Sequence, residues 1–333
     1  MHKLESQIYK SKLQTTSEEF KKNKESMIGM LEEIDILLDE AEAGGGPDHQ
    51  KRLAARGKLP VRERIFNFLD PDSPFLEISG LAGYKSDYPV GGGAVAGIGV
   101  CSGIECIIFA NDPTVLAGAM HYYSVKKWMR SMAIARDCRI PFIQFVESAG
   151  GDLRPRGAMS AGAMGHFAES GRQFYEITEL SKLNIPTVTV TFGTATAGGA
   201  YQPGMSDYNI FVKDQADVAL AGPPLVQMAT GEISSREDIG GAKMHAEKSG
   251  LAEYLADDDL DGIRIAREVM SHLNWVKEGN EPRFSIKPPL YNQEDLLGIV
   301  EPNLKTPFDI REIIGRIADG SQFEEFKPLF GPT

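Results

Sequence analysis

Two stretches decide the fold: PFIQFVESAGGDLRP at residues 141–155 and PTVTVTFGTATAGGAYQPGM at residues 186–205. In each, a short apolar run leads into a pair of glycines. Such runs predict buried strands, and glycines at a strand end leave backbone N–H groups accessible because no side chain covers them. Two such turns in matching contexts indicate a pair of donors for the negative oxygen of a thioester enolate. The four glycines are Gly150, Gly151, Gly198 and Gly199. The alternative is that both turns are ordinary strand-to-helix connections.

Composition narrows the class of protein. A chain of 333 residues can hold one large core or two domains, and its net charge of -12 argues against general affinity for nucleic acid or an anionic membrane. No apolar run approaches the ~20 residues of a transmembrane helix. The N-terminus lacks the apolar core of a secretion signal and is too acidic for an organelle transit peptide. Three cysteines, Cys101, Cys106 and Cys138, fit neither a zinc nor a disulfide spacing. We therefore expect a reduced, cytoplasmic protein without a metal site.

The order of apolar patterns predicts an α/β domain. Helical spacing over 16–43 ends at a glycine-rich turn, and from about residue 75 to 270 strand-like runs alternate with helical ones. The expected strands are 94–100, 105–110, 140–146, 187–192 and 218–221, and the expected helices are 125–137, 172–183 and 263–273. Such alternation places helices outside a sheet. A proline-rich stretch then leads into one short helix at 310–318.

A basic segment, KRLAARGKLPVRERI at residues 51–65, stands out in an acidic chain. Six cations accompany a single acid, Glu63: they are Lys51, Arg52, Arg56, Lys58, Arg62 and Arg64. Such a local positive field suits a phosphate-bearing ligand. The alternative is a solvated helix face that pairs with the acidic N-terminal helix. A second pair, Lys126 and Lys127, is predicted to face outward from its helix, toward a ligand phosphate or toward water.

Several polar side chains near the turns are predicted not to be catalytic. Ser148 lacks the sequence context of a serine nucleophile, and His121, His166 and His245 are too far apart to bind a metal. Glu147 and Asp152 are expected to hydrogen-bond the turn backbone. Tyr201 and Pro203 are expected either to shape an acyl pocket or to pack in the core.

Six motifs in order resemble a known family. They are ARGKLPVRERI, FANDPTVLAGAMHYYSVKKWMRSMAIA, VESAGGDLRP, GTATAGGAYQPGMSD, LAGPPLVQMATGE and EDIGGAKMHAEKSG. Together they resemble the carboxyltransferase (β) subunit of biotin-dependent acyl-CoA carboxylases over roughly residues 50–330, nearer the methylcrotonyl-CoA and geranyl-CoA branch than the propionyl-CoA branch. The resemblance implies an α/β, crotonase-like fold of repeated β-β-α units. It also implies transfer of CO2 from carboxybiotin to the α- or γ-carbon of an acyl-CoA.

The resemblance assigns roles to particular residues. The oxyanion donors fall on the N–H groups around the four glycines, and no side-chain base is required. Binding of the acyl-CoA and carboxybiotin is expected to involve Arg52, Arg56, Lys58, Lys126, Lys127, Ala149, Ala197 and Tyr201. The biotin would be carried by a biotin carboxylase or biotin carboxyl carrier subunit, and the family self-associates into a dimer-based hexamer. No metal is implied.

The resemblance also predicts three segments. Residues 1–46 form a helical extension, residues 47–285 a crotonase-like domain, and residues 286–333 a linker with the truncated start of a second carboxyltransferase domain. Relatives continue for a further domain, so the chain is a fragment or another polypeptide completes it, and alone it is expected to bind acyl-CoA but to turn over carboxybiotin poorly. The first turn reads ESAGGD instead of the common Asp-Ser-Gly-Gly-Ala core, which leaves the identity of the donor open.

Two other functions remain open from the sequence. One is a hydratase, isomerase or decarboxylase of the same fold; a hydratase would need paired carboxylates in the acyl site, with Glu169 or Glu176 opposite Gly151. The other is a non-catalytic assembly subunit that uses the fold only to build a complex. In every case the apolar face of the N-terminal helix is compatible with partner contacts or with packing on its own domain.

Overall fold

The computed structural model describes residues 7–152, 167–277, 285–303, 305–327 and 329–330. The chain divides into two compact units, one formed by Leu37–Glu278 and the other by Met1–Ile36 together with Gly279–Thr333. The division predicted at residues 46 and 285 stays a prediction. None of the helices formed by the described residues is long and apolar enough to cross a membrane.

The elements are numbered along the chain. The strands are β1 Gln7–Ile8, β2 Leu76–Glu77, β3 Ala94–Cys101, β4 Ile104–Asn111, β5 Phe142–Ser148, β6 Thr187–Thr196, β7 Tyr208–Val212, β8 Asp217–Ala219, β9 Tyr254–Ala256 and β10 Gln322–Phe323. The α-helices are α1 Glu18–Ala43, α2 Pro47–Ala54, α3 Val61–Phe68, α4 Tyr122–Cys138, α5 Phe167–Lys182, α6 Tyr201–Gly204, α7 Pro223–Thr230, α8 Arg236–Gly240, α9 Ala242–Met244, α10 Asp259–His272, α11 Leu296–Ile299 and α12 Ile310–Ile317.

The larger unit is built on a mixed sheet with the strand order β2-β3-β4-β5-β6-β7-β9. Strands β2, β3 and β4 pair antiparallel, whereas β4, β5, β6, β7 and β9 run parallel. Strand β8 pairs with the last residues of β6, beyond the segment that pairs with β7. Helices α4 and α5 connect the parallel strands in turn, as βαβ crossovers must. The alternating pattern thus confirms the predicted α/β class, while β7 and β9 were not predicted.

The sheet is buried on both faces. Along β4, Ile107 and Phe109 pack with the apolar residues of α4 and α5, whereas Ile108 and Ala110 pack with those of α3 and α10. Side chains of successive strand residues point to opposite faces, so a strand covered on both sides must be apolar throughout. This explains why β4 and β5 read as largely apolar runs, whereas β6 begins by alternating threonine with valine and buries those threonines as well.

The smaller unit holds the N-terminal strand against its last helix. Strand β1 pairs antiparallel with β10. The carboxylate of Glu312 in α12 accepts hydrogen bonds from the Tyr9 hydroxyl, the Ser11 hydroxyl and the Lys12 N–H, and it pairs with Arg316. Burial and this neighbouring carboxylate raise the pKa of Tyr9.

Helix α1 confirms the helix predicted over 16–43. Its apolar face is largely exposed: Met30, Leu31 and Leu38 each keep 40% of their surface accessible. Phe20 and Asn23 are its buried residues. The face is therefore available for a contact, as the sequence pattern suggested.

Candidate functional site

The two glycine turns lie side by side at the carboxyl ends of β5 and β6. Ser148, the last residue of β5, is in register with Ala195 of the neighbouring strand. Gly150 adopts φ +92°, and a Cβ atom there would lie 3.0 Å from the carbonyl oxygen of Thr196. Only glycine accepts this backbone conformation without strain, so the first turn requires it. Parallel strands end at the same edge of a sheet, which is why the sequence could place both turns together.

The first turn is held by contacts that leave one N–H group available. The Gly150 N–H donates to the Ser148 hydroxyl at 3.2 Å, and the Ala149 N–H donates to the carbonyl oxygen of Ala117 at 3.1 Å. Met120 bridges the turn, since its N–H donates to Gly150 and its carbonyl accepts from Asp152. Within the described part of the chain, the Gly151 N–H donates to no backbone or side-chain acceptor.

The second turn is a 3₁₀ helix, Ala197–Ala200, that begins directly after β6. In a 3₁₀ helix each N–H donates to the carbonyl three residues earlier, so its first two residues have no acceptor inside the turn. Those residues are Ala197 and Gly198. The Gly198 N–H therefore stands at the open end of the turn.

A small cavity lies between the two turns and has a volume of about 260 Å³. Its lining consists of Met120, Val125, Trp128, Ala149, Gly151, Gln173, Ala197, Gly198, Gly199 and Gln202. None of these side chains is ionisable. Gly151 and Gly198, whose N–H groups meet no acceptor in the part of the chain that the structure describes, both line it, whereas Gly150 does not. The geometry thus favours Gly151 over Gly150 as the donor of the first turn.

A network of buried amides that the sequence analysis missed lies at the side of this cavity. The indole N–H of Trp128 donates to the Gln144 side-chain oxygen at 2.9 Å, and the Gln202 amide reaches the same oxygen at 3.5 Å. Gln144 in turn donates to Thr189. The Gln202 Oε1 atom is buried and has no hydrogen-bond partner among the described residues. The amino-acid sequence carried a signal for this network, because the polar Gln144 interrupts the apolar run of β5.

A second depression, rich in arginine, adjoins the cavity at Ala149. It has a volume of about 550 Å³ and is lined by His49, Arg52, Leu53, Arg56, Pro113, Thr114, Ala117, Glu147, Ser148, Ala149, Thr194, Thr196 and Arg236. We call it the arginine cleft. Arg52 and Arg56 were predicted as ligand cations and are exposed here. Arg236 was not predicted; it pairs with Asp217 at 3.0 Å, on the rim of the same depression.

Two of the predicted ligand cations, Lys58 and Lys127, are not exposed to a ligand as Arg52 and Arg56 are. The Lys58 ammonium pairs with Glu147 at 2.5 Å and donates to the carbonyl oxygen of Phe192 at 2.8 Å. Lys127 was expected to face outward, but it is 2% exposed and donates to two backbone carbonyls, those of Gly91 and Ala94. The prediction of outward-facing cations is therefore wrong for Lys127. Helical spacing alone did not show that a glycine-rich loop covers this face of α4.

The remaining predicted contacts lie at the periphery. Lys126 is exposed on α4, with its ammonium over the Tyr122 ring at 4.6 Å. Tyr201 packs against Phe174, with ring centroids 4.6 Å apart, and does not line the cavity. Of the two roles predicted for Tyr201, the contacts favour packing.

Burial of Lys127 has an electrostatic consequence. Removal of its ammonium from water lowers its pKa from the ordinary 10.5 to about 8. The two carbonyl acceptors offset part of this burial cost because they favour the charged form. Lys127 thus lies on the helix that supplies Val125 and Trp128 to the cavity, but it presents no charge to it.

Four charged residues form a buried ionic cluster behind the first turn: Lys58, Arg64, Glu147 and Asp259. Arg64 is 1% exposed and pairs with both carboxylates at 3.0 Å. Asp259 also accepts from the Leu59 N–H at 3.0 Å. Glu147 therefore does not cap the turn backbone as predicted. It anchors the end of β5 to the basic segment instead.

Residues that were predicted to be structural have structural partners. Ser148 is buried and accepts from Gly150. His121 caps α4 in a reciprocal pair with Ser124, and His245 contacts Ser249 and the carbonyl of Val218. His166 lies outside the described residues. Among those that are described, no group of three or more His, Cys, Asp or Glu residues is placed to hold a metal ion.

A hydratase was expected to place Glu169 or Glu176 in the acyl site, and the structure describes the position of the Glu176 side chain. Glu176 is buried and bound by Arg136 at 2.5 Å and Arg172 at 3.1 Å, and it does not line the cavity. The side chain of Glu169 lies outside the described residues. The described part of the cavity thus offers no carboxylate for hydration.

Comparison with known proteins decides the family. The carboxyl transferase domain family matches residues 52–333, which is most of the chain. The chain belongs to this family. This carboxyl transferase domain is 50% identical, over 92% of its length, to the probable biotin-dependent acyl-coenzyme A carboxylase beta2 subunit of Mycobacterium tuberculosis. It is 40% identical, over its whole length, to the probable mitochondrial methylcrotonoyl-CoA carboxylase beta chain of Drosophila melanogaster.

Solved structures agree with the sequence relatives. The carboxyl transferase domain superimposes on the beta subunit of P. aeruginosa geranyl-CoA carboxylase with a TM-score of 0.83 and 41% identity, covering 98% of this chain and 60% of that one. The transcarboxylase 12S structure matches with a TM-score of 0.66 and 26% identity, over 86% of this chain and 56% of that one. The chain spans 57% and 60% of the lengths of the two sequence relatives. These matches confirm the crotonase-like fold expected from the resemblance.

Proposed function

We propose that this chain forms the acyl-CoA site of the carboxyltransferase component of a biotin-dependent acyl-CoA carboxylase, with methylcrotonyl-CoA or a related acyl-CoA as substrate. One observation carries the proposal. Two main-chain N–H groups, those of Gly151 and Gly198, have no acceptor among the described residues, and both line a single cavity whose described lining contains no ionisable side chain. The relatives named above support the choice of substrate class.

The two donors suit the stabilisation of an enolate. Removal of a proton from the α-carbon, or from the γ-carbon of an unsaturated acyl group, places negative charge on the thioester oxygen. Fixed N–H donors aimed at that oxygen stabilise it without reorganisation, and each contributes about 2.7–4 kcal/mol. The apolar lining strengthens these hydrogen bonds because it excludes water and lowers the local dielectric.

The absence of an ionisable lining residue, among those described, fits a reaction whose base arrives with the second substrate. When bound, carboxybiotin supplies both the CO2 and a basic ring nitrogen. The residues of this chain then have three tasks: to hold the thioester carbonyl, to keep water out, and to present the acidic carbon on the open side of the cavity. Delivery would fall to a biotin carboxyl carrier subunit, and self-association is proposed by analogy with the transcarboxylase, whose structure is described as a hexamer assembly.

The arginine cleft suits the phosphates of coenzyme A. Guanidinium groups bind phosphate oxygens in a bidentate manner, and Arg52, Arg56 and Arg236 all border this cleft. Because the cleft meets the cavity at Ala149, one ligand can have its acyl group in the cavity and its phosphates in the cleft. A non-catalytic assembly subunit would have no need for this arrangement.

Infrared spectroscopy of the bound thioester tests the proposal directly. We expect 3-methylcrotonyl-CoA labelled with ¹³C at the carbonyl to bind the chain in calorimetry. Its C=O stretch should move to lower frequency on binding, because two N–H donors polarise the carbonyl. The thioether analogue, which lacks the carbonyl, should bind through the same coenzyme A contacts without that band. Binding without a shift, or no binding, would contradict the proposal. Carboxylation of the same substrate with biotin carboxylase, biotinylated carrier, ATP and bicarbonate tests the complete reaction. This assay, and every kcat measurement below, includes a polypeptide that supplies the second carboxyltransferase domain, because the chain alone is expected to turn over carboxybiotin poorly.

A further inference from the structure

We propose that the ionic cluster of Lys58, Arg64, Glu147 and Asp259 positions the two oxyanion donors by holding β5 and β6 apart just before their glycine turns. The inference rests on the proposed function, since it concerns the same N–H groups. None of these four residues lines the cavity between the turns, so they are positioning residues and not catalytic ones, and only Glu147 among them also lines the arginine cleft.

The cluster lies where the pairing of the two strands is interrupted. Val146 is in register with Thr191, but the next pair is Ser148 with Ala195. Between these pairs β5 advances by two residues and β6 by four. The extra residues of β6 shift its turn relative to that of β5, and they free main-chain groups from the ladder.

The cluster occupies this interruption. Lys58 donates to the carbonyl oxygen of Phe192, one of the groups freed at the shift, and pairs with Glu147 on the facing strand. The Arg64 guanidinium lies over the Phe192 ring at 4.2 Å and binds Glu147 and Asp259. The Glu147 side chain passes directly over Gly193, where an added Cβ would lie 2.6 Å from the Glu147 carboxyl carbon. The break is thus filled by Lys58 from the α2–α3 connection, by one charge each from α3 and α10, and by one glutamate.

The buried charges fix the spacing between β5 and β6 where their pairing is interrupted. A buried ion pair is retained only while all its partners remain in place, because an unpaired charge in the interior is strongly disfavoured. Glu147 directly precedes the first turn, and Gly193 lies a few residues before the second. A change in the spacing at the break therefore displaces the Gly151 and Gly198 N–H groups relative to each other.

The sharpest test adds one methyl group at Gly193. Gly193→Ala removes no charge and touches no ligand, and its backbone does not require glycine. The methyl must displace Glu147. We expect kcat for carboxylation of 3-methylcrotonyl-CoA to fall by about 10- to 100-fold, as small displacements of reacting groups do. KM should change much less than kcat, because Arg52, Arg56 and Arg236 keep their places even though Glu147 also lines the arginine cleft. The shift of the bound thioester C=O band should become smaller. Gly29→Ala is the matched control, since no atom lies within 4 Å of its added Cβ.

A second pair of variants keeps the test informative if the first does not fold. Glu147→Gln removes the charge but keeps the shape. It should lower kcat by about tenfold or more and make the shift of the C=O band smaller, and these two readouts are used because Glu147 also lines the arginine cleft, where its charge affects KM. Glu77→Gln is its control, because it breaks another ion pair of the basic segment, Arg62 with Glu77 at 2.7 Å, away from the turns. Arg62 and Glu77 have no role in the site, so that variant should retain activity within about twofold.

The outcomes separate the inference from the function on which it rests. If the wild type neither shifts the C=O band nor supports carboxylation, the proposed function fails. If the wild type does both, but Gly193→Ala and Glu147→Gln keep a normal kcat and band position, the cluster does not position the donors. A loss of thermal stability with kcat and C=O shift intact would also overturn the inference, since the cluster would then only stabilise the fold.

Discussion

The two depressions that meet at Ala149 are lined by opposite kinds of residue. The cavity between the glycine turns has apolar and amide side chains and two unused main-chain donors. The arginine cleft has three guanidinium groups along its border. Both depressions are lined by residues from the ends of β5 and β6, so the same two strand ends contribute to each.

The difference separates two electrostatic tasks. A charge that exists only during the reaction is stabilised best by fixed dipoles in a site without water or ions. A permanent charge, such as a phosphate, is bound best by cations at the surface, where its desolvation is modest. The comparison predicts that changes in the cavity affect kcat, and that changes in the cleft affect acyl-CoA binding.

The largest effect is expected from removal of one main-chain donor. Replacement of Gly198 by glycolic acid exchanges its N–H for an ester oxygen without changing the side chain. We expect kcat to fall by about 10²- to 10³-fold, as for loss of one oxyanion donor. The matched control is the same exchange at Gly150, whose N–H is already donated to Ser148. Equal decreases in kcat after exchange at Gly198 and at Gly150, measured by steady-state carboxylation, would show that the two N–H groups do not differ in their contribution.

A smaller effect, on stability, is expected from Lys127. Its pKa is lowered to about 8, so between pH 8 and 10.5 the folded state has released this proton while the unfolded state still holds it. The unfolding free energy therefore rises with pH in that window by about 1.4 kcal/mol per unit, and below the window the full burial cost is present. Chemical denaturation at several pH values measures the unfolding free energies of wild type and Lys127→Met. The value for the wild type should rise relative to that for the variant as the pH increases. A difference independent of pH would show that Lys127 does not titrate there. Acyl-CoA affinity should remain unchanged, in contrast to the arginine variants.

The smallest effect is expected in the cleft. The double variant Arg52→Ala with Arg56→Ala should raise the acyl-CoA dissociation constant by about tenfold and leave kcat nearly unchanged, because exposed cations bind the ligand equally in ground and transition states. Calorimetry at low and at physiological ionic strength should show a weaker salt dependence than in the wild type. Lys51→Ala, an exposed cation of the same segment that does not line the cleft, is the control. If kcat falls instead of affinity, the division of tasks between cleft and cavity is wrong.

Much of the architecture could be predicted because it follows from local patterns. The runs over β3, β4 and β5 are largely apolar since both sheet faces are covered, and the helices between β4, β5 and β6 imply parallel pairing. Strands β7 and β9 escaped prediction because runs of five and three residues carry little periodic signal. The choice of Gly151 over Gly150 as the donor also needed the tertiary structure, because it depends on which main-chain N–H donates to the Ser148 hydroxyl.

The cations show where prediction from sequence stops. Lys58, Arg64 and Lys127 read as surface charges, yet each is buried against carbonyls or carboxylates from segments distant in the sequence. Only Arg52 and Arg56 of the predicted ligand cations lie exposed in the cleft. Charge composition indicates how many cations a segment has, but not which of them find a partner in the interior.

The sequence by itself determined the family, the α/β class and the two glycine turns, because these depend on residue order and on local conformational preference. The tertiary structure alone decided which N–H groups are unused, where the arginines gather and how four charges fill the interrupted ladder. The physical reason is that hydrogen bonds and ion pairs are satisfied across elements distant in sequence, so only the packed chain shows which donors and charges remain for a ligand.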